Sequence, residues 1–149
     1  MAHQHNVYDT DLHFRIDPIT RTIINQTTGK TKVIQYDHNS ERFTFEIPRH
    51  VDGHDMSLSD KVEIHFINTS KNGNNSNNGV YVCDDVQLSP DDENVVIFSW
   101  LISQLATQYE GTLDFIVRFT CVTDKVIDYI WSTGIFAEIK VSGSFYYGT

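Results

Sequence analysis

The chain is short of several things at once, and each shortage removes a class of protein. It has 11 Lys and Arg against 20 Asp and Glu, a formal net charge of −9, so its averaged field repels phosphate backbones and anionic headgroups. Neither nucleic acid nor a membrane is expected as a partner. Unbroken apolar runs are only a few residues long, and the opening "MAHQHNVYDT" lacks the basic start and apolar centre of a secretion signal. The expectation is a soluble protein made in a cytoplasm. Two cysteines, Cys83 and Cys121, are too few for a disulfide scaffold and lack the spacing of a zinc site. Both sit in strand-like stretches, where reduced core thiols are expected.

Chemical motifs are also missing. No Gly-x-Ser-x-Gly elbow, phosphate-binding glycine loop or HExxH helix occurs. "RHVDGHD" carries His50 and His54 four residues apart beside Asp52 and Asp55, a zinc pair on a helix, but Gly53 places them on a turn where that spacing does not converge. Asp37, His38 and Ser40 crowd into one short segment, whereas a catalytic triad draws its members from separate ones. The acidic turn Asp91, Asp92, Glu93 lacks the spaced ligands of a cation loop. Asn-x-Ser/Thr triplets start at Asn25, Asn68 and Asn74, with little meaning in the absence of an export signal. The sequence therefore assigns no catalytic residue, no metal ligand and no cofactor, and the expectation is a protein that is not an enzyme.

What is present is a core and a period. Hydrophobic residues make up 40% of the chain and charged ones 21%, with nine Phe and seven Tyr, a globular composition. A chain of this length buries roughly 70% of the surface it exposes when unfolded, so residues 1–149 are read as a single domain. From Leu12 onward apolar and polar residues alternate with period two, the mark of strands with one buried face. Leu12, Phe14 and Ile16 alternate with charged neighbours until Pro18; Phe43, Phe45 and Ile47 do the same, as do Val62, Ile64 and Phe66, then Leu113, Phe115, Val117 and Phe119. "RTIINQTTGKTKVIQY" reads as two short strands around a turn at 27–30. "VYVCDDVQL", "NVVIFSW", "VIDYIW" and "GIFAEIKV" add further strands. The fold predicted is all-β, an antiparallel β-sandwich of roughly eight or nine strands.

One segment departs from that period. After Trp100, Leu101, Ile102, Leu105 and Ala106 fall at helical offsets, with Ser99 or Ser103 as N-cap and Gly111 releasing the chain into the next strand. A short helix near 100–107 is predicted, closing one end of the sandwich with Leu101 and Leu105.

With the strands in place, the order of segments from about Asp37 to Val141 resembles the N-terminal domain of phage baseplate upper proteins and related tail-fibre attachment domains. The resemblance is carried by "DHNSERFTFEI", "MSLSDKVEIHFIN", an Asn/Gly-rich loop, "VVIFSWLISQLATQYEGTLDFIVRF" and "STGIFAEIKV", and is one of pattern and order over about two thirds of the chain. It implies a β-sandwich that assembles as an oligomer, a trimer by that analogy, in a virion put together in the bacterial cytoplasm. Family members continue into a coiled coil or fibre where this chain stops at Thr149, and Met1 to Tyr36 does not align. The reading is an adaptor or fibre-attachment module of tail or baseplate, or alternatively a head fibre or capsid decoration protein.

Two further surfaces are expected. Residues 1–10 and 142–149 read as terminal arms, and Tyr8, Phe145, Tyr146 and Tyr147 on them are candidate assembly contacts, because Tyr is enriched in interface cores. The polar stretch Ser70 to Gly79 reads as a mobile loop. Its Asn72, Asn74, Asn75 and Asn77, with Tyr81 or Tyr109 as aromatic platform, form a candidate ligand loop for host surface glycans. That is the alternative of a different class, a carbohydrate-binding host-recognition module.

Overall fold

A computed structural model describes residues 12–27 and 32–143. They form two facing sheets and a small ribbon. Sheet I is built from β1 (Leu12–Asp17), β2 (Thr22–Asn25), β4 (Arg42–Pro48), β9 (Gln87–Leu88) and β10 (Val95–Leu101), in the order β2-β1-β4-β10-β9. Sheet II contains β3 (Lys32–Ile34), β7 (Lys61–Ser70), β8 (Ser76–Val82), β11 (Gly111–Thr123) and β13 (Phe136–Ser142), in the order β3-β13-β11-β7-β8. The far half of β11 also pairs with β12 (Val126–Ser132). The ribbon is β5 (His50–Val51) and β6 (His54–Asp55), followed by a 3-10 turn, Met56–Leu58. Residues 1–10 lie outside the described residues, and of the expected C-terminal arm only Ser142, the last residue of β13, and Gly143 lie within them.

The all-β reading with one short helix stands. The sheets are mixed rather than purely antiparallel: β1 runs parallel to β4, and β13 parallel to β3. The cause lies in the chain between 22 and 34. It carries two strands as read, but β2 belongs to sheet I and β3 to sheet II, so they are not a hairpin. The chain crosses between layers there, and again between β8 and β9, where "VYVCDDVQL" divides at Cys83 into a strand of each sheet.

The alternation places its apolar members between the layers. Phe14, Phe43, Phe45, Phe98 and Trp100 of sheet I are buried against Phe115, Phe119 and Trp131 of sheet II. Phe115 sits at the centre, its ring 5.7 Å from Phe14, 5.9 Å from Phe45 and 5.3 Å from Trp100. The Phe14 and Trp100 contacts are edge-on, a geometry in which ring edge meets ring face favourably. Cys83 is buried beside this core and Cys121 is half-buried; neither forms a disulfide.

The helix α1 (Gln104–Thr107) is shorter than predicted and buries the other face. Leu101 stays in β10, and Leu105 is 45% exposed, while Ile102 and Ala106 are fully buried. Ser103 holds the N-cap position without a side-chain bond. Instead the Gln104 N–H donates to His38 Nδ1 at 2.9 Å. Ser99 is a strand residue, too far back to cap. Gly111 does start the next strand: it has φ +157°, and a Cβ there would lie 2.0 Å from the Thr69 carbonyl oxygen.

Candidate functional site

The outer face of sheet II combines exposed apolar side chains with an edge that none of the described residues pairs. Registers across β8, β7 and β11 place Val80 beside His65 and Ile116, Asn78 beside Ile67 and Asp114, and Val82 beside Glu63 and Arg118. A shallow cleft of about 510 Å³ lies among His65, Ile67, Asn78, Val80, Asp114 and Ile135. Val80 is 51% exposed, Val82 55% and Ile135 73%. His65 Nε2 lies 3.1 Å from Glu63 Oε1. Asp114 Oδ1 is buried without a hydrogen-bond partner among the described residues. Burial holds its carboxyl above the usual aspartate range, because a charge leaving water favours its neutral form. This face costs the monomer something that a partner covering it would alter.

The outer face of sheet I is polar. Arg42, Thr44 and Glu46 of β4 and His13 of β1 point away from the core, and the crossing segment Asp85–Asp91 roofs a cleft of about 560 Å³. Ser99 is the tie that holds this roof. Its Oγ donates to Asp85 Oδ2, its N–H donates to Asp85 Oδ1 at 2.9 Å, and it accepts from Arg42 at 2.8 Å. The hydroxyl is engaged on both sides, and the one imidazole lining this cleft among the described residues, His13, is bonded to Thr44 at 2.6 Å. The trio therefore fixes a loop; it is not arranged as a nucleophile with its base.

The residues singled out in the sequence are dispersed. The stretch Ser70–Gly79 is a hairpin rather than a long mobile loop: Ser70 ends β7, β8 begins at Ser76, and Ser70 N–H donates to the Asn75 carbonyl at 2.9 Å. Asn72 Oδ1 accepts from Ser70 Oγ and from the Asn74 N–H, and the Asn75 N–H donates to Ser70 Oγ. Asn77 reaches the Leu105 carbonyl at 3.4 Å. The Asn72 side chain serves the turn, Asn74 and Asn75 enter it through their backbone N–H groups, and Asn77 ties β8 to α1; Tyr81 lies half-buried on the face of β8 opposite Val80. The structure does not gather them around one cavity. Tyr8, Phe145, Tyr146 and Tyr147 lie outside the described residues. His50 and His54 lie on β5 and β6 across the two-residue turn Asp52–Gly53, whose φ values of 53° and 83° suit a tight hairpin. His54 stacks on Tyr129 at 3.6 Å. Among the described residues no three His, Cys, Asp or Glu side chains converge as a metal site, and no helix is long and apolar enough to cross a membrane.

Sequence reasoning missed Asn68. Its side chain is fully buried. Nδ2 donates to the Tyr109 and Thr112 carbonyls, both at 2.9 Å, and Oδ1 accepts the Tyr109 N–H at 2.8 Å. The glycosylation triplet that starts there has no free amide in the folded chain. The signal was an Asn at an inward position of the Val62, Ile64, Phe66 alternation, where a polar residue needs partners. Compared with models of known protein families and with curated protein sequences, the chain matches none.

Proposed function

We propose that this chain is a non-enzymatic assembly module, a structural protein of a tailed-phage virion that joins copies of itself and neighbouring virion proteins at the tail or baseplate. The virion part of this reading comes from the order of segments between Asp37 and Val141. The observation that carries the assembly part is the outer face of sheet II. There Ile67, Val80, Val82 and Ile135 are exposed beside a strand edge that none of the described residues pairs, and contiguous apolar patches of this kind mark interaction surfaces. A head fibre or capsid decoration protein would use the same face. A carbohydrate-binding module takes second place. Phe14, Phe45 and Phe98, the aromatics under the polar cleft of sheet I, turn their rings into the core, leaving no aromatic platform in that cleft.

The test is to raise antibody against the purified chain and image where it lands on phage particles produced with the gene. Label on tail, baseplate or capsid supports the reading. Absence of label from particles produced with the gene, together with normal assembly and infection without it, refutes it. A glycan array with the same protein tests the second reading, with binding lost on shortening 71–78 as the result that would promote it.

A further inference from the structure

Every sheet has edges, and proteins guard them with short strands, charges, prolines or bulges. Among the described strands of the two large sheets, one edge is guarded less than the others. The outer strands β2, β3 and β9 have four, three and two residues; β3 carries Lys32, and Pro90 follows β9 closely. The free side of β12 carries Asp128, and its pairing with β11 is broken by a register shift at Cys121/Val122. The remaining edge is β8, "SNNGVYV", seven residues with no charge and no proline, paired to β7 without a shift.

Its backbone polarity is set by two bonds. Ser70 N–H donates to the Asn75 carbonyl and Cys83 N–H to the Val62 carbonyl, so the odd-numbered residues of β8 face β7. Ser76, Asn78, Val80 and Val82 therefore direct their N–H and C=O groups outward, and none of the described residues takes them. We infer that β8 pairs antiparallel with β8 of a second copy about a two-fold axis at Gly79, joining the two sheets II into one continuous sheet. This deepens the assembly reading and rests on it.

The register follows from counting partners. With Gly79 on the axis, Ser76 lies opposite the partner's Val82 and Asn78 opposite the partner's Val80, and every outward N–H and C=O finds an acceptor or donor. Any other antiparallel register leaves some unpaired. The closest backbone approach falls at a pair that does not exchange hydrogen bonds, here Gly79 with the partner's Gly79, neither of which carries a side chain of its own; the space a Cβ would take is filled by Phe66 and Leu105 of the same chain.

The self-complementary edge selects a second copy as occupant, and charge selects its direction. Two copies carrying −9 each repel, and they meet most easily along a strand that has no acid. The first acids past β8 are Asp84 and Asp85. The antiparallel register lays them over the partner's turn 71–75, which contains no acid and carries Lys71, a side chain ion-paired with Glu110 at 2.8 Å but still largely exposed. A parallel pair would set Asp84 against the partner's Asp84. The pairing also closes the open side of the cleft at Ile67, Asn78 and Val80.

The experiment uses the full chain in light scattering after size exclusion at about 50 µM, a concentration suited to a small interface of roughly micromolar affinity. A dimer is expected. Val80→Pro removes an N–H that β7 does not use, a change an edge strand tolerates, and should give a monomer with the parent's circular dichroism spectrum. Should that variant fail to fold, Val80→Lys, at an exposed position, serves the same purpose. The register is tested by cross-linking. Ser76→Cys with Val82→Cys should form reducible dimers under mild oxidation, whereas Asn78→Cys with Val82→Cys, which places no two new thiols opposite, should not exceed the unsubstituted chain. A monomeric or trimeric parent, a dimer unaffected by folded Val80 variants, or equal cross-linking of both cysteine pairs overturns the inference. Absence of the protein from particles, with β8 dimers intact, would instead remove the virion reading and leave this one standing.

Discussion

Replacing Asn68 with Ala should be one of the most damaging single changes available in this fold. The side chain is fully buried and makes three hydrogen bonds, to the N–H and C=O of Tyr109 and the C=O of Thr112, which bind the exit of α1 to the end of β7. Truncation leaves those groups in a site sealed from water. An orphaned buried donor or acceptor costs about 1–3 kcal/mol; counting the Tyr109 pair fully and the Thr112 carbonyl in part gives a loss of about 3–5 kcal/mol. Whole domains are stable by about 5–15 kcal/mol, so the variant should fold but with a depleted margin. In urea, with a slope of about 2 kcal/mol/M, the midpoint should fall by about 2 M. Asn68→Asp should do no better at pH 7. Its carboxylate still accepts from the Tyr109 N–H but sets negative charge against two carbonyl oxygens. A fall of less than about 1 kcal/mol at unchanged slope would show that water or a small backbone shift satisfies these groups, and would refute the argument.

Gly111→Ala should lose at least about 2 kcal/mol in the same assay, because φ +157° is unfavourable for a side chain and the new Cβ meets the Thr69 carbonyl; a neutral result would mean the turn relaxes freely. Asp114 and Asp55 should give opposite pH dependences. Burial raises the Asp114 carboxyl, so its charged form penalises the native state at neutral pH and the penalty is relieved as pH falls through the raised value. Asp114→Asn should therefore be more stable than the parent at pH 7, with the gap closing towards about pH 4. Asp55 is held below the usual aspartate value of 3.8, first by the Ser57 hydroxyl and then by the Ser57 N–H and Arg49. Its contribution is present above that value and lost as pH falls through the lower folded one, so Asp55→Asn should be less stable at pH 7 and flatten the acid limb of the stability curve. A thiol reagent should modify Cys121 in the native chain and Cys83 only on unfolding, since burial pushes the Cys83 thiol far up; two rapid equivalents would contradict its placement.

The layers of the sandwich were legible because alternation is a local property. Phe43, Phe45 and Ile47 face inward for the reason that Arg42, Thr44 and Glu46 face out, and no distant residue is needed to see it. Topology was less legible. Nothing within "RTIINQTTGKTKVIQY" reveals that Ile23 and Val33 enter different sheets, because the partners that decide it, β1 for one and β13 for the other, lie elsewhere in the chain. The helix was placed correctly, yet its buried face was misread. Four apolar residues at helical spacing allow two stripes, and tertiary packing chose Ile102 with Ala106 over Leu101 with Leu105. The Asn-rich run misled by composition: its amides suit sugar hydroxyls in isolation, but flanked by strands the run becomes a tight turn closed by Asn72, Ser70 and backbone groups. The β8 edge was not legible: Ser76 to Gly79 read as loop and only Val80 onward as strand, and sequence alone does not number the strands of a sheet from its rim.

The parallel pairing of β3 with β13 sets a clock on folding. Lys32 finds its place beside Lys140 and Val33 beside Val141, so on a ribosome adding about 5–20 residues per second the earlier strand waits on the order of ten seconds for the later one. During that interval sheet I can gather β1, β2 and β4 while sheet II stays open along the side that β13 will fill. A nascent chain held in that state shows chaperones an unfinished rim, and a pause in translation before Phe136 would lengthen the exposure without altering a single native contact.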